Sequence, residues 1–142
     1  MQEFQIEFRR PQECPVVKLQ LFCKALNRFE EFDALIDTGA AYSVIDSETF
    51  EQTGFDVIKG YKRNIGGFVP GYQECEYTGI LTKLESFALK TVGFYVADLS
   101  ETFYDVIIGM PFLKNFNFNF DFDIVSDYHG KIIFKPELKV VL

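Results

Sequence analysis

The sequence predicts an all-β fold with one or two short helices. Apolar and polar residues alternate in several short stretches, most cleanly in Phe116-Asn117-Phe118-Asn119-Phe120-Asp121-Phe122-Asp123. Short unbroken apolar runs, Ala34-Leu35-Ile36 and Val106-Ile107-Ile108, stop at aspartate or glycine, as strands entering a core do. Signals for starting and stopping a helix surround only two short segments.

The 142 residues suit one domain spanning 1–142, and a 48% apolar content with seventeen Phe and seven Tyr excludes a disordered chain. A net charge of −7 argues against a nucleic-acid partner. Lys62 and Arg63 are the nearest approach to a basic patch, and beside a glycine-rich stretch they read as solvated charges. No run is long enough to span a membrane, and MQEFQIEFRR lacks the apolar centre of a signal peptide. Cys14, Cys23 and Cys75 are odd in number and scattered, which fits free thiols in a reducing compartment better than disulfides or a zinc site. The expectation is a soluble cytoplasmic protein without a membrane partner.

Residues 4–8 (FQIEF) alternate and predict a short edge strand, after which Pro11 and Pro15 impose a loop. Val17, Leu19 and Leu21 against Lys18 and Gln20 predict a strand over 16–25. A turn at Asn27-Arg28 returns the chain through 29–36 as the second arm of a hairpin. Val44-Ile45 gives a short apolar run, and 46–54 predicts a helix capped by Asp46 or Ser47 and ended by Gly54. Residues 61–79 are rich in glycine and aromatics, and fit either an ordinary mobile loop or a hairpin whose tip opens over a cleft. Strands are expected at 79–86, 87–98 and 104–108, then a short helix from Pro111 to about Asn115. The Phe stripe at 116–123 predicts a half-buried strand with Phe inward, and residues 126–130 a turn holding His129 as an exposed residue. Residues 131–135 return as its partner, and 137–142 could add a terminal strand.

Asp37-Thr38-Gly39-Ala40 lies between two apolar runs, so its carboxylate is delivered toward the interior. A buried aspartate is costly unless it is hydrogen-bonded or shares a proton. Thr38 offers a hydroxyl, and Gly39 permits a sharp turn with backbone N–H groups near a ligand. The same tripeptide is also an ordinary turn.

Three features occur in order: the Asp37-Thr38-Gly39-Ala40 loop, the glycine-rich hairpin candidate, and Asp105-Val106-Ile107-Ile108-Gly109-Met110-Pro111-Phe112-Leu113. Together they resemble the retropepsin-like aspartic proteases, over roughly residues 16–134. The resemblance implies a closed, mostly antiparallel acid-protease β-barrel that functions as a homodimer. It implies that Val106, Ile107 and Ile108 form a floor across the Asp37 loop, with Gly109 permitting close approach. Ile65, Gly66, Gly67, Phe68 and Val69 occupy the order of the family's flap and, with Ala40, are the expected substrate-binding residues. Asp37, Thr38 and Gly39 are the expected catalytic set, with Thr38 hydrogen-bonding across the dimer. Asp105 precedes an apolar run instead of sitting in a comparable loop, so the second carboxylate is expected from a second Asp37. The implied function is hydrolysis of peptide bonds in a peptide or protein substrate, with no metal or organic cofactor.

Where many viral members carry an aspartate and an arginine that pair, this chain has Ala41 and Met110, so neither charge is stranded. The pattern looks closer to cellular and bacterial members. The termini, FQIEF and ELKVVL, are candidates for the dimer sheet, and the sequence does not choose between them and other segments. Pepsin-like loops often carry a serine where Ala40 stands; alanine cannot stabilise the charged dyad, so activity is expected at mildly acidic to near-neutral pH. Two other readings stand beside the enzyme: a catalytically inactive peptide-binding or dimerisation module, and a plain barrel with a coincidental turn.

Overall fold

Strand β2 (Val16–Cys23) shows how the alternating pattern builds the core: Val17, Leu19, Leu21 and Cys23 are buried, while Lys18 between them is exposed. The computed structural model describes residues 4–9, 15–66, 71–84, 87–114, 116–122 and 129–136. The other elements are β1 (Phe4–Arg9), β3 (Arg28–Ile36), β4 (Val44–Asp46), α1 (Ser47–Thr53), β5 (Val57–Gly66), β6 (Tyr72–Leu84) and β7 (Phe87–Ala97). They are followed by β8 (Val106–Ile108), α2 (Met110–Leu113), β9 (Phe116–Phe122) and β10 (His129–Pro136).

Six strands close a barrel in the order β6-β7-β4-β8-β3-β2, with β2 returning to β6 through Gln20↔Lys83 and Leu21↔Thr82. The barrel is mixed, because β3 pairs with β8 and β4 with β7 in parallel. Its interior holds Leu19, Leu21, Ile36, Ile80, Phe94 and Phe112, all essentially inaccessible to water. Burying one such side chain contributes about 1.5–3 kcal/mol. Beyond β2 the sheet continues as β1-β10-β9, where the FQIEF segment pairs with β10 along its whole length. The ELKVVL segment lies outside the described residues.

The β2–β3 hairpin turns at Asn27, whose type is among the best of the non-glycine residues at taking its positive φ of 51°. In α1, Gly54 takes the left-handed C-terminal position (φ 74°), as its sequence position predicts. Asp46 stands at the N-cap, but its carboxylate accepts the Leu99 N–H at 2.8 Å and tethers the loop that leads into β8.

Three expectations are corrected. The strand expected to start at 79 starts at Tyr72, since β6 runs unbroken from the glycine-rich hairpin into the barrel. The second helix ends at Leu113, short of Asn115. His129 is the first residue of β10, paired with Arg9, and not part of a turn. The Phe-rich segment is a strand, paired throughout with β10.

Asp105 locks the joint between β3, α1 and β8. Its carboxylate accepts the Asp33 N–H (3.1 Å) and the Thr49 hydroxyl (3.5 Å), and its own N–H donates to the Asp33 carbonyl (3.0 Å). That use explains an acidic residue before a buried strand. In urea denaturation, Phe94→Ala should cost about 3–5 kcal/mol through lost burial and a cavity. Asp105→Ala should cost about 1–3 kcal/mol through an unpaired backbone N–H. An unchanged midpoint in either variant would contradict these roles.

Candidate active site

The parallel register sets Ile36 opposite Ile108, so the residues that follow, Asp37 and Gly109, emerge side by side. The Asp37 N–H donates to the Ile108 carbonyl at 2.9 Å, and the Ala40 N–H to the Asp37 carbonyl at 3.1 Å. The Asp37 carboxylate accepts the Gly39 N–H at 3.0 Å. The first turn of α2 then closes on the loop: the Met110 N–H donates to the Ala40 carbonyl (2.9 Å), and the Gly109 N–H to the buried Ser43 hydroxyl (3.0 Å). A Cβ at position 109 would lie 2.5 Å from the Tyr42 carbonyl oxygen and 2.8 Å from that of Ala40. Only glycine fits this approach.

Asp37 opens onto a cleft of about 400 Å³. Gly39, Ala40 and Ile107 line it from the barrel side, and Ile65, Gly66 and Tyr72 from the β5–β6 hairpin. The hairpin projects past the barrel, since among the described residues β5 pairs only with β6 and most of its side chains are exposed. A carboxylate facing such a cleft can accept or donate a proton to a molecule lying beneath the hairpin.

The structure thus brings Asp37, Gly39, Ala40, Ile65, Gly66 and Ile107 together. Gly67, Phe68 and Val69 lie outside the described residues. The expected floor divides: Ile107 faces the cleft, whereas Val106 and Ile108 join the barrel core, as alternation along β8 requires. Asp37 is half-buried and not enclosed, because the cleft of the single chain is open. Thr38 is exposed and makes no side-chain hydrogen bond among the described residues. Ala41 and Met110 are exposed beside the loop and line one shallow surface with Pro111 and Lys114.

Sequence reasoning missed Ser43, Tyr42, Tyr72 and Tyr95; Arg63 is exposed, as the reading of a solvated charge expects, but its contacts with the tyrosines were missed. The Arg63 guanidinium lies 4.8 Å from the Tyr42 ring centre, and its Nε donates to the Tyr95 hydroxyl at 3.3 Å. That bond, with the two neighbouring phenols, pushes the Arg63 pKa above its ordinary value. Tyr42 also packs edge-on against Tyr95, with centroids 5.3 Å apart. The two-residue spacing of Arg63 and Ile65 puts them on one face of a strand, but no sequence signal marks the tyrosines around Arg63.

Residues 25–115 match the family model described as gag-polyprotein putative aspartyl protease. The chain belongs to that family. The aspartyl protease segment so matched runs from the β2–β3 turn through α2, taking in the Asp37 loop, the hairpin and the Gly109 crossing. A retropepsin-like aspartic protease from Rickettsia conorii shares the fold, with a TM-score of 0.61 at 15% identity over 94% of this chain and 91% of that one. The EIAV protease, solved with an inhibitor, gives 0.52 at 24% identity over 73% and 88% of the two chains. The retroviral protease-like domain of Ddi1 from Leishmania major gives 0.52 at 18% identity over 91% and 95%. The search of curated proteins finds no match. The fold is therefore that of the retropepsin-like aspartic proteases, seen in bacterial, viral and protozoan relatives.

The loop of this family member rests on the Gly109 crossing. Ser43→Ala strands a buried N–H and should cost about 1–3 kcal/mol. Gly109→Ala should cost about as much by overpacking. Both should speed hydrogen exchange at the Gly109, Met110 and Ala40 amides, and unchanged exchange would remove the crossing from the account.

Proposed function

We propose that the chain is a homodimeric aspartic endopeptidase in which two Asp37 carboxylates, one per subunit, activate the water that cleaves a peptide bond. The observation that carries this reading is the Asp37 carboxylate at the barrel end of a cleft roofed by the β5–β6 hairpin. Asp37 is the one acidic residue among the described residues lining that cleft, so acid–base chemistry needing two carboxylates takes the second from another copy. Exposed Thr38, without a partner among the described residues, suits a hydrogen bond to the opposite loop.

Two carboxylates in contact share one proton and titrate as a unit. The ionised member takes a proton from the water as it attacks the carbonyl carbon. The protonated member donates to the carbonyl oxygen, and the amine leaves once its nitrogen is protonated. Asp37, Thr38 and Gly39 form the working loop, with Ala40, Ile65 and Gly66 against the substrate. Val44 and Ile107 give the cleft apolar walls that favour hydrophobic side chains around the cut. None of these steps needs a metal or organic cofactor. Cys23 and Cys75 are buried free thiols whose pKa values burial pushes up, in keeping with a reducing compartment such as the cytoplasm.

Light scattering should give twice the 16.4 kDa chain mass. Asp37→Asn should lower cleavage of a peptide library by about a thousandfold or more while leaving the fold intact. Equal inertness of wild type and variant, with peptide still bound by both, would make the protein a peptide-binding module. The rate should follow a bell-shaped pH profile, because one carboxyl must be protonated and one ionised; a rate that only rises or only falls with pH would refute that pairing.

A further inference from the structure

A second cavity, of about 380 Å³, adjoins the Asp37 cleft and shares Tyr42 with it. Its walls are Tyr42, Tyr61, Tyr77 and Tyr95, with Arg63 among them. We infer that this cavity is a specificity pocket for a carboxylate side chain of the peptide substrate, with Arg63 as the recognising group. The inference rests on the proteolytic reading and names the substrate class that reading leaves open.

The pocket is built and not incidental. Tyr77 and Tyr95 pack with centroids 4.8 Å apart, and Tyr61 lies 6.0 Å from Tyr77. Gly93 makes this possible, since a Cβ there would overlap the Tyr77 hydroxyl. Tyr42 and Tyr95 then hold the guanidinium, one by its ring face and the other by its hydroxyl. Only Nε is occupied by that hydrogen bond, which leaves the terminal nitrogens as a fork of the geometry that carboxylates match. Among the described residues no carboxylate lies at ion-pair distance from Arg63, although its neighbour Lys62 pairs with Glu74 at 3.6 Å. Arg63 is exposed, and an oriented, unneutralised cation on a pocket wall is a local site for an incoming anion even though the chain as a whole carries −7.

The strand geometry says where on the substrate that anion sits. Arg63 and Ile65 are two residues apart on the regularly paired end of β5, so they share a face. Ile65 lines the Asp37 cleft and Arg63 the second pocket. An extended peptide repeats at the same interval, about 6.6–6.8 Å for every two residues. The acidic side chain therefore stands two residues along from the one beneath Ile65.

The test is a peptide library with Glu, Gln or Lys at each position around a cleavable centre, digested by the full chain. The wild type should favour Glu over Gln by about five- to tenfold at one position, as a charge-assisted bond predicts. Arg63→Gln should erase that preference and Arg63→Glu should turn it toward Lys. Lys62→Gln makes the same charge change on the other face of β5 and should keep it. No acidic preference in the wild type, its survival in Arg63→Gln, or equal loss in Lys62→Gln would overturn the assignment. The same peptides are titrated onto Asp37→Asn by fluorescence anisotropy. Cleavage without acidic preference defeats the pocket and spares proteolysis. Arg63-dependent binding of acidic peptides without cleavage by the wild type defeats proteolysis and spares the pocket. Neither cleavage nor acidic preference in binding defeats both.

Discussion

The parallel pairing of β3 with β8 is the constraint on which the rest of the molecule depends. Ile36 against Ile108 leaves the next residue of each strand, Asp37 and Gly109, at the same level of the barrel. Because Gly109 has no side chain, the loop carrying Asp37 can lie directly on the first turn of α2, with Ser43 and Ala40 completing the contact. Parallel neighbours need a long connection. The chain between β3 and β8 is that connection, and it contains the hairpin that roofs the cleft. One topological requirement thus produces both the site and its cover.

Stability is divided accordingly. The barrel strands are buried and bonded on both edges, whereas among the described residues β5 has a single neighbour and a mostly exposed face. A two-stranded ribbon outside a core is marginal by itself, so the hairpin belongs to the low-stability end of the structure, where binding segments are drawn from. Continuity of β6 ties it to the barrel. Arg63 adds a second tie, reaching from β5 to Tyr42 in the Asp37 loop and Tyr95 in β7.

Much of this was legible in the sequence, for identifiable reasons. The period-two pattern of Val17, Leu19 and Leu21 reports burial on one face, and β2 follows it residue by residue. The Asp37 and Gly109 segments were readable as ordered motifs of a known family, and at Gly109 close backbone packing forces the residue type. The start of β6 at Tyr72 was hidden, since Tyr72-Gln73-Glu74 precede the first buried residue, Cys75, and no apolar run marks the beginning of the strand. The split of Val106 and Ile108 from Ile107 was hidden for the opposite reason: a strand buried on both faces shows no alternation at all. Ser43 and the Tyr42–Arg63–Tyr95 contact join positions remote in sequence, and no local rule links them.

Charge placement follows from the same geometry. Each chain carries −7 overall, and the proposed dimer adds the approach of two Asp37 side chains, so long-range electrostatics oppose pairing. An ion pair beside the loop would have to be stripped of water to help, and its desolvation offsets most of its attraction. Ala41 and Met110 stand beside the loop, exposed and uncharged in the single chain, so a partner that covered them would add burial at about 25 cal/mol per Å² with no charge to desolvate. Association resting on apolar contact against net repulsion gains from screening. Added salt should therefore favour the proposed dimer while weakening capture of an acidic side chain by Arg63, because the same ions screen an unfavourable field in one case and a favourable one in the other.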